Sequence, residues 1–126
     1  MSLRTPLSEA QGLGSAKSGT EHFWHQRMTA IANVPLVIFL LWFIVSHLGA
    51  ARGDVVASVQ NPFNAILLVL SFVSILWHMR LGMQAVIEDY VHGSVIRLVA
   101  LLANTFFTAA LAVAALFAIL KMSFGL

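Results

Sequence analysis

His78 stands inside a long apolar run, Ser71-Phe-Val-Ser-Ile-Leu-Trp-His-Met-Arg-Leu-Gly-Met-Gln-Ala-Val-Ile-Glu-Asp-Tyr90, which an Asp-Tyr pair closes. Ionisable groups are costly in hydrocarbon, so an intramembrane histidine is a functional hypothesis by default. Ser71, Ser74, His78, Gly82, Ala85 and Asp89 recur at three- and four-residue steps, which places them on one helix face. That face is small and polar around a single imidazole. A flat cofactor could lie against Ser71, Ser74 and Gly82, with His78 as its ligand and Gly82 leaving room one turn away. The alternative is a structural histidine hydrogen-bonded to a neighbouring helix, and the residue alone leaves both open.

The functional reading is axial ligation of a haem iron. His47 is the other histidine at membrane depth, near the far end of the preceding span, whereas His78 lies fifteen residues into its own. At 1.5 Å per residue that is about 22 Å, so the two differ in depth by roughly 20 Å. One iron cannot bind both. A haem on His78 would take its second ligand from another subunit, and His47 reads as interfacial.

Asp89 and Tyr90 are the second candidate pair. A tyrosine at a span end commonly serves as a belt anchor. The adjacent acid adds another reading, because a phenol donates a hydrogen bond at neutral pH and a carboxylate can order water or relay protons. Together they suit a quinone head group. Arg27 falls at the same level and could pair with Asp89, a haem propionate or a lipid phosphate. His22, Phe23, Trp24 and His25 form an amphipathic lead-in suited to interfacial anchoring. Arg80, Gln84 and Glu88 share another face at four-residue steps, pointing to a wet or protein-covered end of this span.

Three apolar blocks must position these groups. Of the 126 residues, 60% are hydrophobic and 10% charged, and the mean hydropathy is +0.90. A soluble domain carries about 25% charged residues. The predicted spans cover about 28–48, 63–87 and 95–120, each longer than the roughly 20 residues that cross about 30 Å of hydrocarbon. Residues 1–27 form a polar N-terminal segment ending in the lead-in, and 28–126 the membrane domain. Gly49, Gly53 and Asp54 break the first span. Asn61 caps the second, with Pro62 at its first position. At His92-Gly93-Ser94, Gly93 stops one helix and Ser94 caps the next. Asn33 and Pro35 loosen the first span locally.

The fold class is therefore an all-α membrane protein of three transmembrane helices, up-down-up. Arg4, Lys17, Arg27, Arg80 and Arg97 gather at one end, against Arg52 and Lys121 at the other. The positive-inside rule puts the N-terminus inside and the C-terminus outside. Polar residues on membrane faces, among them Asn33, Asn104, Thr105 and Thr108, call for close-packed partners, which makes the chain a subunit. No internal repeat suggests a transporter. The basic excess, seven Lys/Arg over five Asp/Glu, is too small and scattered for nucleic-acid binding. With no cysteine, the chain carries no disulfide, thiolate iron–sulfur cluster or Cys-attached haem. No secretory signal is apparent in the polar first twenty residues.

The run from His78 through Gly82 to Asp89-Tyr90 resembles the signature of the succinate dehydrogenase hydrophobic membrane anchor subunit. That family has a His, a Gly four residues on, then Asp-Tyr at the end of its second span. Arg27-Met-Thr29-Ala-Ile31 resembles the family's Arg-x-Thr-Ala start of span one. The resemblance covers roughly residues 19–126. It implies respiratory complex II, in which a flavoprotein subunit oxidises succinate, an iron–sulfur subunit carries electrons, and two membrane subunits bind ubiquinone and haem b. By that resemblance His78 is this chain's axial ligand to the haem iron, Tyr90 the quinone-carbonyl donor with Asp89 beside it, and Arg27 a residue near quinone and propionates. A second cytochrome b membrane subunit supplies the other haem ligand. The chain is non-catalytic alone, and the expected location is the bacterial inner (cytoplasmic) membrane ahead of the mitochondrial one. The rival readings are the cytochrome b-type anchor of a fumarate reductase and a non-catalytic structural or assembly subunit.

Overall fold

The computed structural model describes residues 5–12 and 19–126. Arg4 and Lys17, which enter the orientation argument, lie outside the described residues. The described residues form five helices, α1 (Pro6–Gln11), α2 (Gly19–Ser46), α3 (Arg52–Gln60), α4 (Pro62–Tyr90) and α5 (Ser94–Ser123), and no strand. Helices α2, α4 and α5 have 28, 29 and 30 residues and are long and apolar enough to cross a membrane. At 1.5 Å per residue they reach about 42–45 Å, beyond the hydrocarbon thickness of about 30 Å.

Helix α2 begins at Gly19, before the predicted start at 28, because the lead-in and the span form one continuous helix. Glu21 in its first turn suits the positive end of the helix dipole. The helix runs on through Pro35, although proline cannot donate to the carbonyl four residues back. It ends near Gly49, whose φ of 78° is left-handed backbone that glycine adopts without a Cβ penalty. Gly53 and Asp54 do not break this span. They lie in the first turn of α3, a nine-residue helix where the sequence suggested only a connection.

Asn61 and Pro62 behave as expected. Asn61 Oδ1 accepts the Phe63 N–H at 3.0 Å, and Pro62 opens α4. The second reversal differs from expectation. Gly93 has a φ of −74°, makes no side-chain cap, and Ser94 is already the first residue of α5. Arg97 braces this turn instead. Its Nε donates to the Val91 carbonyl at 2.9 Å and its backbone N–H to the Gly93 carbonyl at 2.8 Å.

Helix α4 packs along both α2 and α5, while α3 packs against α4 and α5. Phe43 of α2, Val59 of α3, Leu68 of α4 and Ile119 of α5 form the buried cluster, with Phe39, Leu40, Val69 and Met122 around it. The short α3 thus gives this end of the bundle a fourth wall. Large apolar side chains such as Ile38, Phe106, Val113 and Phe117 remain exposed along the long helices, a surface for lipid or for other membrane chains.

Candidate functional site

Polar contacts join α2 to α4 in a ladder. Thr29 Oγ1 lies 2.9 Å from His78 Nδ1. Ser74 Oγ donates to Asn33 Oδ1 at 2.7 Å. Ser71 Oγ donates to the Leu67 carbonyl at 2.7 Å and approaches the Leu36 carbonyl at 3.4 Å. As the α2 partners ascend through 29, 33 and 36, the α4 partners descend through 78, 74 and 71. The polar face read from the sequence is therefore the seam against α2. Ser71 is 0% exposed and has no surface for a cofactor, and Ser74 is committed to Asn33. The face open to another group starts at His78.

His78 is half-buried, and its Nε2 has no hydrogen-bond partner among the described residues. The ring lines a cavity of about 330 Å³ with Phe23, Gln26, Arg27 and Ala30, near the low end of small-molecule sites. The Arg27 guanidinium lies over the Phe23 ring at 5.0 Å. Arg27 and His78 thus share one cavity although 51 positions separate them in the sequence. One turn along α4, Gly82 has no atom within 4 Å of where a Cβ would stand. A glycine inside a helix costs about 0.8–1.0 kcal/mol relative to alanine. Among the described residues no other element fills the space beside Gly82.

Asp89 and Tyr90 lie elsewhere. Tyr90 is 77% exposed and twelve residues from His78, about 18 Å along the helix. Asp89 is exposed too, and among the described residues Arg27 makes no ion pair with it. His22 Nε2 is buried without a hydrogen-bond partner among the described residues, on the same end of α2.

His47 is a structural histidine. Its Nδ1 lies 2.7 Å from the Phe43 carbonyl and so donates to it. Nε2 then accepts from Ser58 Oγ at 2.7 Å, tying the turn that follows α2 to α3. Arg80 faces α5. Its guanidinium reaches Thr105 Oγ1 at 3.4–3.5 Å, and Asn104 Nδ2 donates to the Arg80 carbonyl at 3.0 Å. Gln84 donates to Glu88 on the exposed stretch beyond.

Thr29 and Asn33 are the residues that sequence reasoning left without chemistry. Their signal was present: Thr29 and Asn33 are four apart on one span, and Ser74 and His78 four apart on the next. Two such pairs can meet when the spans run in opposite senses.

The family model described as succinate dehydrogenase/fumarate reductase transmembrane subunit matches residues 1–124. The chain belongs to that family. A succinate dehydrogenase hydrophobic membrane anchor subunit of Paracoccus denitrificans is 30% identical over 96% of this chain and 93% of its own length. The protein of that name from Rickettsia bellii is 36% identical over 75% of each chain. A succinate dehydrogenase membrane anchor subunit of Reclinomonas americana is 36% identical over 68% of this chain and 73% of its own. Family membership and the three long apolar helices make this an integral membrane protein.

Proposed function

We propose that the chain is the hydrophobic membrane anchor subunit of a succinate:ubiquinone oxidoreductase, sharing a haem b with a second cytochrome b membrane subunit. The carrying observation is His78, held through Nδ1 by Thr29 while Nε2 has no partner among the described residues, at a cavity shared with Arg27. Haem b, when bound, supplies a one-electron relay between the iron–sulfur subunit and quinone. His78 Nε2 is the nitrogen free to hold its iron. Gly82 clears the surface one turn on, and Arg27 offers a cation to a propionate or to the quinone. His47 has both ring nitrogens engaged and lies just past the end of α2, eighteen residues beyond Thr29, about 27 Å away. The second ligand is therefore assigned to the partner subunit.

Tyr90 and Asp89 serve the quinone. The Tyr90 hydroxyl donates to a quinone carbonyl, most strongly as negative charge develops on that oxygen. Asp89 beside it relays a proton toward the same oxygen, since quinone takes up electrons and protons in equal numbers. Their exposure leaves both free for a substrate or partner. Succinate is oxidised by the flavoprotein subunit, and this chain is non-catalytic alone. We assign the helices an up-down-up path in a bacterial cytoplasmic membrane, N-terminus inside and C-terminus outside. The basic residues Arg27, Arg80 and Arg97 support that sense.

The test is His78→Ala in the assembled complex. Loss or alteration of the b-type reduced-minus-oxidised spectrum is expected. An unchanged spectrum and midpoint potential would sink haem ligation by His78. The family description also covers fumarate reductase, a second reading of reaction direction that rates of succinate oxidation and fumarate reduction in the same membranes decide.

A further inference from the structure

The contact between Thr29 and His78 has a direction. Thr29 Oγ1 lies 2.9 Å from the His25 carbonyl and 3.0 Å from the Gln26 carbonyl, as well as 2.9 Å from His78 Nδ1. The carbonyls only accept, and the hydroxyl has one proton. Threonine in a helix commonly donates that proton back to the preceding turn. A lone pair is then left facing His78. For a hydrogen bond to form there, Nδ1 must carry the ring proton, and Nε2 is left as the unprotonated nitrogen.

The geometry points to Thr29 as the positioning residue that holds His78 in the Nδ1–H tautomer, with Nε2 presented for ligation. This rests on the reading of His78 as the haem ligand. Metal-bound histidines characteristically donate their other ring N–H, which fixes the ring and raises its basicity. In most such sites the acceptor is a carboxylate, backbone carbonyl or water. Here it is a hydroxyl oriented by the helix that carries it, and no charge enters the membrane. The same bond ties haem geometry to the α2–α4 register, because a slip of either helix separates Thr29 from His78. His47 provides the internal contrast. Its Nδ1 also donates, but its Nε2 is taken by Ser58, so tautomer alone does not make a ligand. The unpaired Nε2 and the cavity distinguish His78.

The experiment uses the whole complex purified with its partner subunits, in four forms: native, Thr29→Val, Thr29→Ser and His78→Ala. Succinate oxidation with an artificial acceptor normalises the amount of assembled enzyme. The readouts are the haem midpoint potential and the rate of haem transfer to an excess of apomyoglobin. Thr29→Val keeps the shape and removes the hydroxyl. It should raise the potential, because a less basic imidazole stabilises ferric iron less. It should also speed haem loss about tenfold, the lower end of the effects seen for such outer partners. Thr29→Ser should match the native complex in both. Thr29→Ala repeats the test with a smaller side chain should the valine prevent assembly. Native values in Thr29→Val beside an altered His78→Ala would reduce Thr29 to packing. A Thr29→Ser variant as impaired as Thr29→Val would show that the methyl group matters, with the same consequence. Assembly lost in both the valine and alanine variants but kept in serine would make the hydroxyl structural and overturn the positioning role. A native spectrum in His78→Ala would remove the ligand reading itself, and this inference with it.

Discussion

Ser74 Oγ donates to Asn33 Oδ1 at 2.7 Å, one turn along the helix from the pair that Thr29 makes with His78. The two contacts sit on matching four-residue steps of α2 and α4. Together they set the register in which His78 meets the cavity beside Arg27. The hydrophobic cluster of Phe43, Val59, Leu68 and Ile119 lies at the α3 end, and Leu76 and Leu81 are buried on this part of α4. The polar contacts add a directional alignment to that packing.

Removing one of those contacts should loosen the seam. Asn33→Ala leaves Ser74 without its acceptor inside the membrane. Interhelical hydrogen bonds in a membrane average about 0.6 kcal/mol and reach about 1.7, so a modest loss is expected. Thermal inactivation of succinate-to-quinone turnover in membranes should move to lower temperature, and His78→Ala should not reproduce the effect through haem loss alone. An unchanged inactivation curve for Asn33→Ala would show that the seam does not depend on this bond.

Gly82→Leu should lower haem content. A Cβ at Gly82 meets no atom of another element within 4 Å among the described residues, so the clash expected for the larger side chain is with the cofactor over that face. Haem per assembled complex is the measurement. Full haem occupancy with a native spectrum would mean that the cofactor does not pass over Gly82.

Tyr90→Phe should lower succinate-to-ubiquinone turnover while succinate oxidation with an artificial acceptor holds. The change keeps the ring and removes only the hydroxyl. Losing one oxyanion-type donor costs about 2.7–4 kcal/mol in strong cases, and a partly wet site with an exposed Tyr90 should lose less. If both rates stay native, Tyr90 is a belt residue.

Expressed without its partners, the chain should be unstable and should not form a bis-histidine haem complex. His47 is committed to Phe43 and Ser58, and many large apolar side chains stand exposed along α2, α4 and α5. Rapid turnover in membranes is expected, with rescue on co-expression of the second membrane subunit. A well-folded isolated chain carrying low-spin b-type haem would contradict the assignment of the second ligand.

The three long helices and the order His78, Gly82, Asp89-Tyr90 were legible in the sequence, because both depend on local properties. Apolar length decides whether a segment can span a bilayer, and four-residue spacing decides which side chains share a face. Asn61-Pro62 was legible for the same reason, since a cap needs only its own first turn. Tertiary structure decided which faces meet. It turned Ser71 and Ser74 into the seam with α2, gave His78 its partner in Thr29, and brought Arg27 to the His78 cavity rather than to Asp89. It also closed the far end with α3, whose nine residues are too short to announce a helix yet bury Val59 against Phe43, Leu68 and Ile119. Those outcomes turn on the register between helices far apart in the chain. Side-chain packing and interhelical hydrogen bonds set that register, and periodicity within one segment says nothing about it.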